Sequence, residues 1–192
     1  MMSCMTQRNR LRPRPTPPGV LGELTTIAER RGSPSPGATP PTVRPLTPAD
    51  RSRIEDLAAR CSDETLRRRF HAPVAHLPLS RVADLLTSVE AVGVVVAEGD
   101  GSIVGVGTLH RNAEGEGEMA VLVEDGSQAG GVGSRLTSAL FSTARDAGVP
   151  VIVADVLREP RFLMDGLQRH NPSATVTVDG AVATIRMPVL AA

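Results

Sequence analysis

The segment from Glu116 to Ala147, EGEMAVLVEDGSQAGGVGSRLTSALFSTARDA, constrains the fold more than any other part of the chain. An alternating run at its start reads as a strand. A glycine-rich turn follows and opens directly onto a helix whose positions Val132, Leu136, Ala139, Leu140, Ala144 and Ala147 form one apolar stripe. Gly148 and Pro150 close that helix. Such a layout points backbone N–H groups, and the positive end of a helix dipole, at whatever anion sits in the turn; a pyrophosphate is the natural guest. Gly130, Gly131 and Gly133 lack Cβ, so they are expected to accept positive φ and to let a ligand lie against bare backbone.

Three phosphate-binding arrangements are tested by these residues. The nucleotide P-loop needs a lysine before Ser or Thr, and every basic residue here is arginine. The dinucleotide fingerprint needs GxGxxG after the first strand of a βαβ unit; Gly131 and Gly133 supply two of its glycines, but Leu136 takes the third place. The run Gln128-Ala129-Gly130-Gly131-Val132-Gly133 matches Q/R-x-x-G-x-G/A. It resembles the coenzyme A pyrophosphate loop of the GNAT superfamily of N-acetyltransferases. The alternative is a glycine-rich β–α connection that binds nothing.

The order of elements agrees with that resemblance. Residues 1–41 are rich in Pro, Arg, Ser and Gly and are expected to form a tail without a core, with one or two helical turns at Val20–Ala28. From residue 42 the pattern reads as a strand at Val43–Leu46, a helix capped by Thr47, a helix started by Ser62 and a third capped by Ser80, with Val82, Leu85, Leu86 and Val89 inward. Strands at Val92–Glu98, Ile103–Arg111 and Glu116–Val123 precede the glycine turn and its helix. A strand at Val149–Leu157, a helix at Phe162–His170 and a hairpin of Ala174–Val178 with Ala181–Pro188 complete the chain. The expected fold is α/β, a mixed sheet with helices on both faces. Over residues 42–192 this is the GNAT-like order, and the resemblance implies splayed central strands.

The resemblance also implies the site. Acetyl-CoA is the expected acyl donor, with Leu122 and Val123 along the thioester and pantetheine, and Gln128, Ala129, Gly130, Gly131, Val132, Gly133 and Ser134 around the pyrophosphate. Most of those contacts come from backbone, and an N–H near Leu122 is expected to meet the thioester oxygen. An acceptor amine is mostly protonated at neutral pH, so a general base helps. Glu118 in Gly117-Glu118-Met119-Ala120-Val121 resembles the glutamate of the bacterial protein-lysine acetyltransferase branch, with Glu116 and His110 as alternatives. The segment holding Ser62, Glu64, Arg69 and Phe70 resembles that branch's N-terminal arm, which walls the acceptor site in relatives; Arg67–Arg69 reads either as an attractor of acidic acceptor regions or as a solvated face.

Two departures from the family pattern stand out. The chain has no tyrosine to protonate a leaving thiolate, and Pro160 replaces an asparagine that often opens the next helix. They leave open a degenerate domain that senses acyl-CoA without turnover. The expected acceptor is a small-molecule amine or a protein lysine.

Composition narrows the partners. Acidic and basic residues balance at 21 each, so no global field recruits nucleic acid. No apolar run is long enough to span a membrane. Cys4 and Cys61 read as free thiols, Cys61 on a buried helix face, which suits a reducing cytoplasm. The four histidines lack metal-ligand spacing, so no metal is expected. The sequence leaves a homodimer open.

Overall fold

The alternating and 3.6-period segments assemble, in a computed structural model, into one seven-stranded sheet ordered β1-β2-β3-β4-β5-β7-β6. The structure describes residues 41–74, 76–87, 91–99, 101–158 and 161–189. The expectations for the N-terminal tail, Cys4, Val89 and Pro160 lie outside the described residues. The strands are β1 (Thr42–Pro45), β2 (Ala91–Gly99), β3 (Ser102–Arg111), β4 (Gly117–Val123), β5 (Val151–Leu157), β6 (Thr175–Asp179) and β7 (Val182–Pro188). Among the described residues the helices are α1 (Arg51–Arg60), α2 (Asp63–Phe70), α3 (Leu79–Leu86), α4 (Val132–Asp146) and α5 (Phe162–His170). Every neighbouring pair is antiparallel except β4 and β5. This is the mixed sheet expected, in the expected order.

Apolar residues cover both faces of the sheet's middle strands, β3 most fully, while the edge strand β6 stays mostly exposed. One face holds Val96, Val106 and Leu122 against Ile54 and Leu57 of α1, Leu66 of α2, and Val82 and Leu86 of α3. The other holds Ala97, Leu109 and Met119 against Leu136, Leu140 and Ala144 of α4, with Met164 and Leu167 of α5 alongside. α4 comes down close on β2 and β3 because two strand residues have no side chain. A Cβ at Gly93 would meet Thr143 Cγ2 at 2.5 Å, and one at Gly105 would meet Leu136 Cδ1 at 3.0 Å.

Local chemistry sets the helix ends. Thr47 and Asp50 form a reciprocal capping box, but around a single 3₁₀ turn (Pro48–Asp50) that leads into α1 rather than around the helix itself. Ser62 caps α2, its oxygen accepting from Thr65 N–H at 3.3 Å. α3 starts one residue before Ser80, at Leu79, with Pro78 at the cap. Proline fixes φ in the range that launches a helix, so the turn needs no serine oxygen. Its inward face is Val82, Ala83 and Leu86, and Leu85, expected inward, is 40% exposed. α4 ends in a Schellman turn: Gly148 has φ +64, Val149 N–H donates to Ala144 O at 2.8 Å, and Gly148 N–H donates to Arg145 O at 3.1 Å.

A half-buried charge cluster ties the first strand to the sheet. Arg44 binds both oxygens of Asp50 at 2.7 Å and reaches Glu98 at 3.0 Å, while Arg53 holds Glu98 at 2.6 Å. Asp50 is almost fully buried. The Arg44 guanidinium holds its carboxyl well below the usual range despite the opposing cost of burial, and Arg44 and Arg53 hold Glu98 at about 2.

Candidate active site

β4 and β5 pair at only two positions, Gly117 with Ile152 and Glu118 with Val153. Beyond them the strands separate, and a cleft of about 330 Å³ opens between their C-terminal halves. Ala120–Val123 line one wall and 154–157 the other. α2 contributes Thr65, Arg68 and Arg69; α4 contributes Gly133, Ser134 and Thr137; α5 contributes Leu163, Gly166, Leu167 and His170. The α5 positions recur at helical spacing, a signal present in the sequence but hidden there within an ordinary amphipathic stripe.

The register of β4 decides which backbone groups face the cleft. Glu124 N–H donates to Val104 O at 3.0 Å, and Leu122 lies opposite Val106 without a bulge between them. Even-numbered residues of β4 therefore bond β3, and the N–H groups of Val121 and Val123 turn toward the gap. Leu122 directs its N–H at β3 and its side chain into the core. The expectation of a cleft-facing N–H near Leu122 thus falls on its two neighbours.

The glycine turn stands at the open end of the cleft. Gly131, at φ +81, is the residue before α4 and takes the left-handed conformation that glycine adopts without strain. Gly130 and Gly133 are not in the positive-φ region; the second such residue of the turn is Ala129, at φ +67. The turn needs two left-handed positions, and one falls on a residue that carries a Cβ. Nothing closer than 3.5 Å would meet a Cβ at Gly130 and nothing closer than 4.0 Å one at Gly133. The protein's own packing does not require glycine at those two positions. Arg135 N–H makes a helical bond to Gly131 O at 3.1 Å, which leaves the N–H groups of Val132, Gly133 and Ser134 as the helix's donor end. Gln128, Ala129, Gly133 and Ser134 line the cleft; Gly130 and Gly131 form the exposed crest of the turn, and the Val132 side chain is buried.

The turn is braced against α2. Asp125 accepts from Ser62 N–H at 2.8 Å, Ser62 Oγ at 2.7 Å and Thr65 Oγ1 at 2.9 Å. Burial opposes ionisation of Asp125, and these bonds outweigh it, holding the carboxyl below its ordinary range. Gln128 Nε2 donates to Thr65 Oγ1 at 3.2 Å and Val123 O at 3.1 Å, so its side chain locks the turn rather than pointing into the opening. Glu124 pairs with Arg60 at 2.6 Å beneath it. Cys61 lies half-buried nearby; burial first, then Asp125 and Glu124, push its thiol up to about 12, which rules out a ready thiolate.

Of the three carboxylate and imidazole candidates, Glu118 and His110 are cross-strand neighbours and Glu116 stands apart. Glu118 sits where the strands part; it is exposed, and its side chain makes no hydrogen bond or ion pair with a described residue. His110 lies directly opposite it on β3, on the same face. Glu116 falls before β4 begins and pairs with Arg186 of β7. Among the described residues, no group of three or more His, Cys, Asp or Glu is placed to hold a metal ion, and no helix is long and apolar enough to cross a membrane.

Solved structures share this fold. The GNAT domain of S. lividans PAT superposes with a TM-score of 0.68 at 23% identity, covering 79% of this chain and 96% of its own. The Salmonella typhimurium protein yncA, determined with its cofactor acetyl-CoA, gives 0.62 at 18% identity, covering 79% and 95%. Ribosomal-protein-alanine N-acetyltransferase from Brucella melitensis gives 0.59 at 17%, covering 76% and 96%. No curated protein sequence matches the chain. The profile of the acetyltransferase (GNAT) family matches residues 55–161, over half of the chain. The parted strands, the bare-backbone turn and this match together place the chain in the acetyltransferase (GNAT) family, whose enzymes use acetyl-CoA.

Proposed function

We propose that the chain transfers an acetyl group from acetyl-CoA to a primary amine, of a small molecule or a protein lysine, by direct attack in a ternary complex. The observation that carries this reading is the parting of β4 from β5 after Glu118 and Val153, with a helix N-terminus at the open end. Acetyl-CoA supplies the activated acetyl thioester. The donor N–H groups from Val132 to Ser134, above the Gln128–Gly131 turn, would hold its pyrophosphate. The cleft-facing N–H groups of Val121 and Val123 would pair with the pantetheine amides and stabilise charge on the thioester oxygen. Glu118, unpaired at the root of the gap, takes the proton from the incoming amine; His110 stands beside it as the alternative base. The yncA neighbour with acetyl-CoA and the Brucella neighbour with an amine acceptor in its name fit this reading. The deciding experiment is thiol release from acetyl-CoA against a panel of amines: acceptor-dependent release is expected.

A second reading, acyl-CoA sensing without turnover, is favoured by one observation. Leu163, Gly166 and Leu167 of α5 line the cleft and the chain contains no tyrosine, so no phenol can donate a proton to a leaving thiolate. Tight acetyl-CoA binding with no release on any amine would establish that reading in place of transfer.

A further inference from the structure

Among the described residues, one buried side-chain nitrogen or oxygen has no hydrogen-bond partner: Nε of Arg69. Its Nη2 donates to a neutral acceptor, Thr108 Oγ1, at 3.2 Å. The guanidinium also lies 5.0 Å from the centroid of the Phe70 ring. Burial alone lowers its pKa to about 10, with no carboxylate opposing the shift, so it stays charged at neutral pH. Its helix neighbours behave differently: Arg67 and Arg68 both pair with Glu64. A desolvated cation without a counter-charge is disfavoured in a wall that could have been apolar, and Arg69 lines the cleft.

Its position states what could supply the missing charge. Thr108 faces Ala120 across β3 and β4, and His110 faces Glu118. The anchor of Arg69 is therefore one pleat, about 7 Å, from the Glu118 pair on the same face of the sheet. The donor end of α4 lies past Val123, three residues or about 10 Å along β4 from Ala120 in the other direction, so Arg69 is anchored nearer the Glu118 pair than the turn. We propose that Arg69 receives a carboxylate carried by the acceptor, and that this enzyme acetylates primary amines bearing a nearby carboxylate. The inference rests on the transfer reading above. Arg69 orients such an acceptor so that its amine meets Glu118, while an uncharged acceptor leaves the guanidinium unpaired.

Matched acceptors test this. The ω-amino acids from glycine to 6-aminohexanoate are each compared with their carboxamides, and a lysine peptide with glutamate beside the lysine is compared with its glutamine counterpart. The first series reports a free amino acid as the source of the carboxylate, the second a protein side chain. In the wild type, kcat/KM is expected to favour the carboxylate by about tenfold or more in at least one pair. In Arg69→Met the preference falls to near unity while carboxamide rates persist, which shows that the variant folds. Arg69→Lys keeps part of the preference, since it restores charge without the planar fork. Calorimetry with the corresponding N-acetyl carboxylates and carboxamides, in the presence of coenzyme A, reads the same contrast without turnover. Absence of transfer on every amine, with the calorimetric contrast retained, overturns the transfer reading but supports the anion site. Equal behaviour of every pair in the wild type by both measurements, or a contrast that survives Arg69→Met, overturns the proposal.

Discussion

At the scale of single residues, the roles of two glutamates separated by one pleat are set by what each touches. Glu116 is held by Arg186, whereas Glu118 has no described partner and stands where β4 and β5 part. Glu118→Gln is expected to leave acetyl-CoA affinity unchanged while lowering turnover on an amine by roughly 10²–10⁴-fold, the usual contribution of a general base. The deficit should shrink as pH rises and free amine becomes abundant. Steady-state rates with parallel calorimetry check this, and full activity in Glu118→Gln would shift attention to His110. Glu116→Gln should keep its turnover. The arginine triplet shows where sequence reading stops at this scale. RRR on a helix reads as one solvated or attracting cluster, yet Glu64 takes the two arginines three and four residues on. Arg69, in line with Thr65 and Leu66, turns inward. The signal was its place on the apolar stripe, which composition masks.

At the scale of elements, the strand–turn–helix unit was legible because its chemistry is local: alternation, glycine and a stripe each act within a few residues. What could not be read was which turn residues would be left-handed. Glycine permits positive φ without demanding it, and Ala129 accepts it because the turn is braced by Asp125 and Gln128 onto α2, contacts more than fifty residues apart in sequence. The start of α3 was misplaced for a related reason, since Pro78 sets the helix entry by its ring rather than by a capping oxygen. Gly131 separates backbone from binding. Gly131→Ala places a Cβ at φ +81 and should cost about 1–2 kcal/mol of stability. Gly131→Glu should abolish acetyl-CoA binding as well, because a carboxylate would sit beside the helix's donor end. Urea unfolding reads the first effect and calorimetry the second; unchanged affinity in Gly131→Glu would remove the turn from the site.

At the scale of the whole molecule, stability in acid rests on a few carboxylates held ionised. Asp50 has a folded pKa far below its unfolded value of about 3.9. Its contribution is complete above that value and is lost as pH falls toward the folded pKa. Asp50→Asn should therefore cost about 2–3 kcal/mol at pH 7, less than a fully buried pair because Arg44 and Glu98 are partly in water. The gap between variant and wild type should narrow at pH 2.5 in urea titrations. A chain beginning at Pro41 should keep its melting temperature within a few degrees, because the Pro/Arg-rich composition before it supplies little apolar surface; a larger loss would show that the segment packs on the domain. The parting of β4 from β5 has a consequence for the empty protein. It leaves a strand margin open in the middle of a sheet, where other folds hide theirs. The donor molecule then acts as a missing strand, and the amides of Val121 and Val123 should exchange with solvent quickly when the cleft is empty and slowly when it is filled. The unliganded enzyme is the form that must guard against strand addition by its own copies, and the cell's acyl-CoA supply would set how much of the protein stands exposed to that hazard.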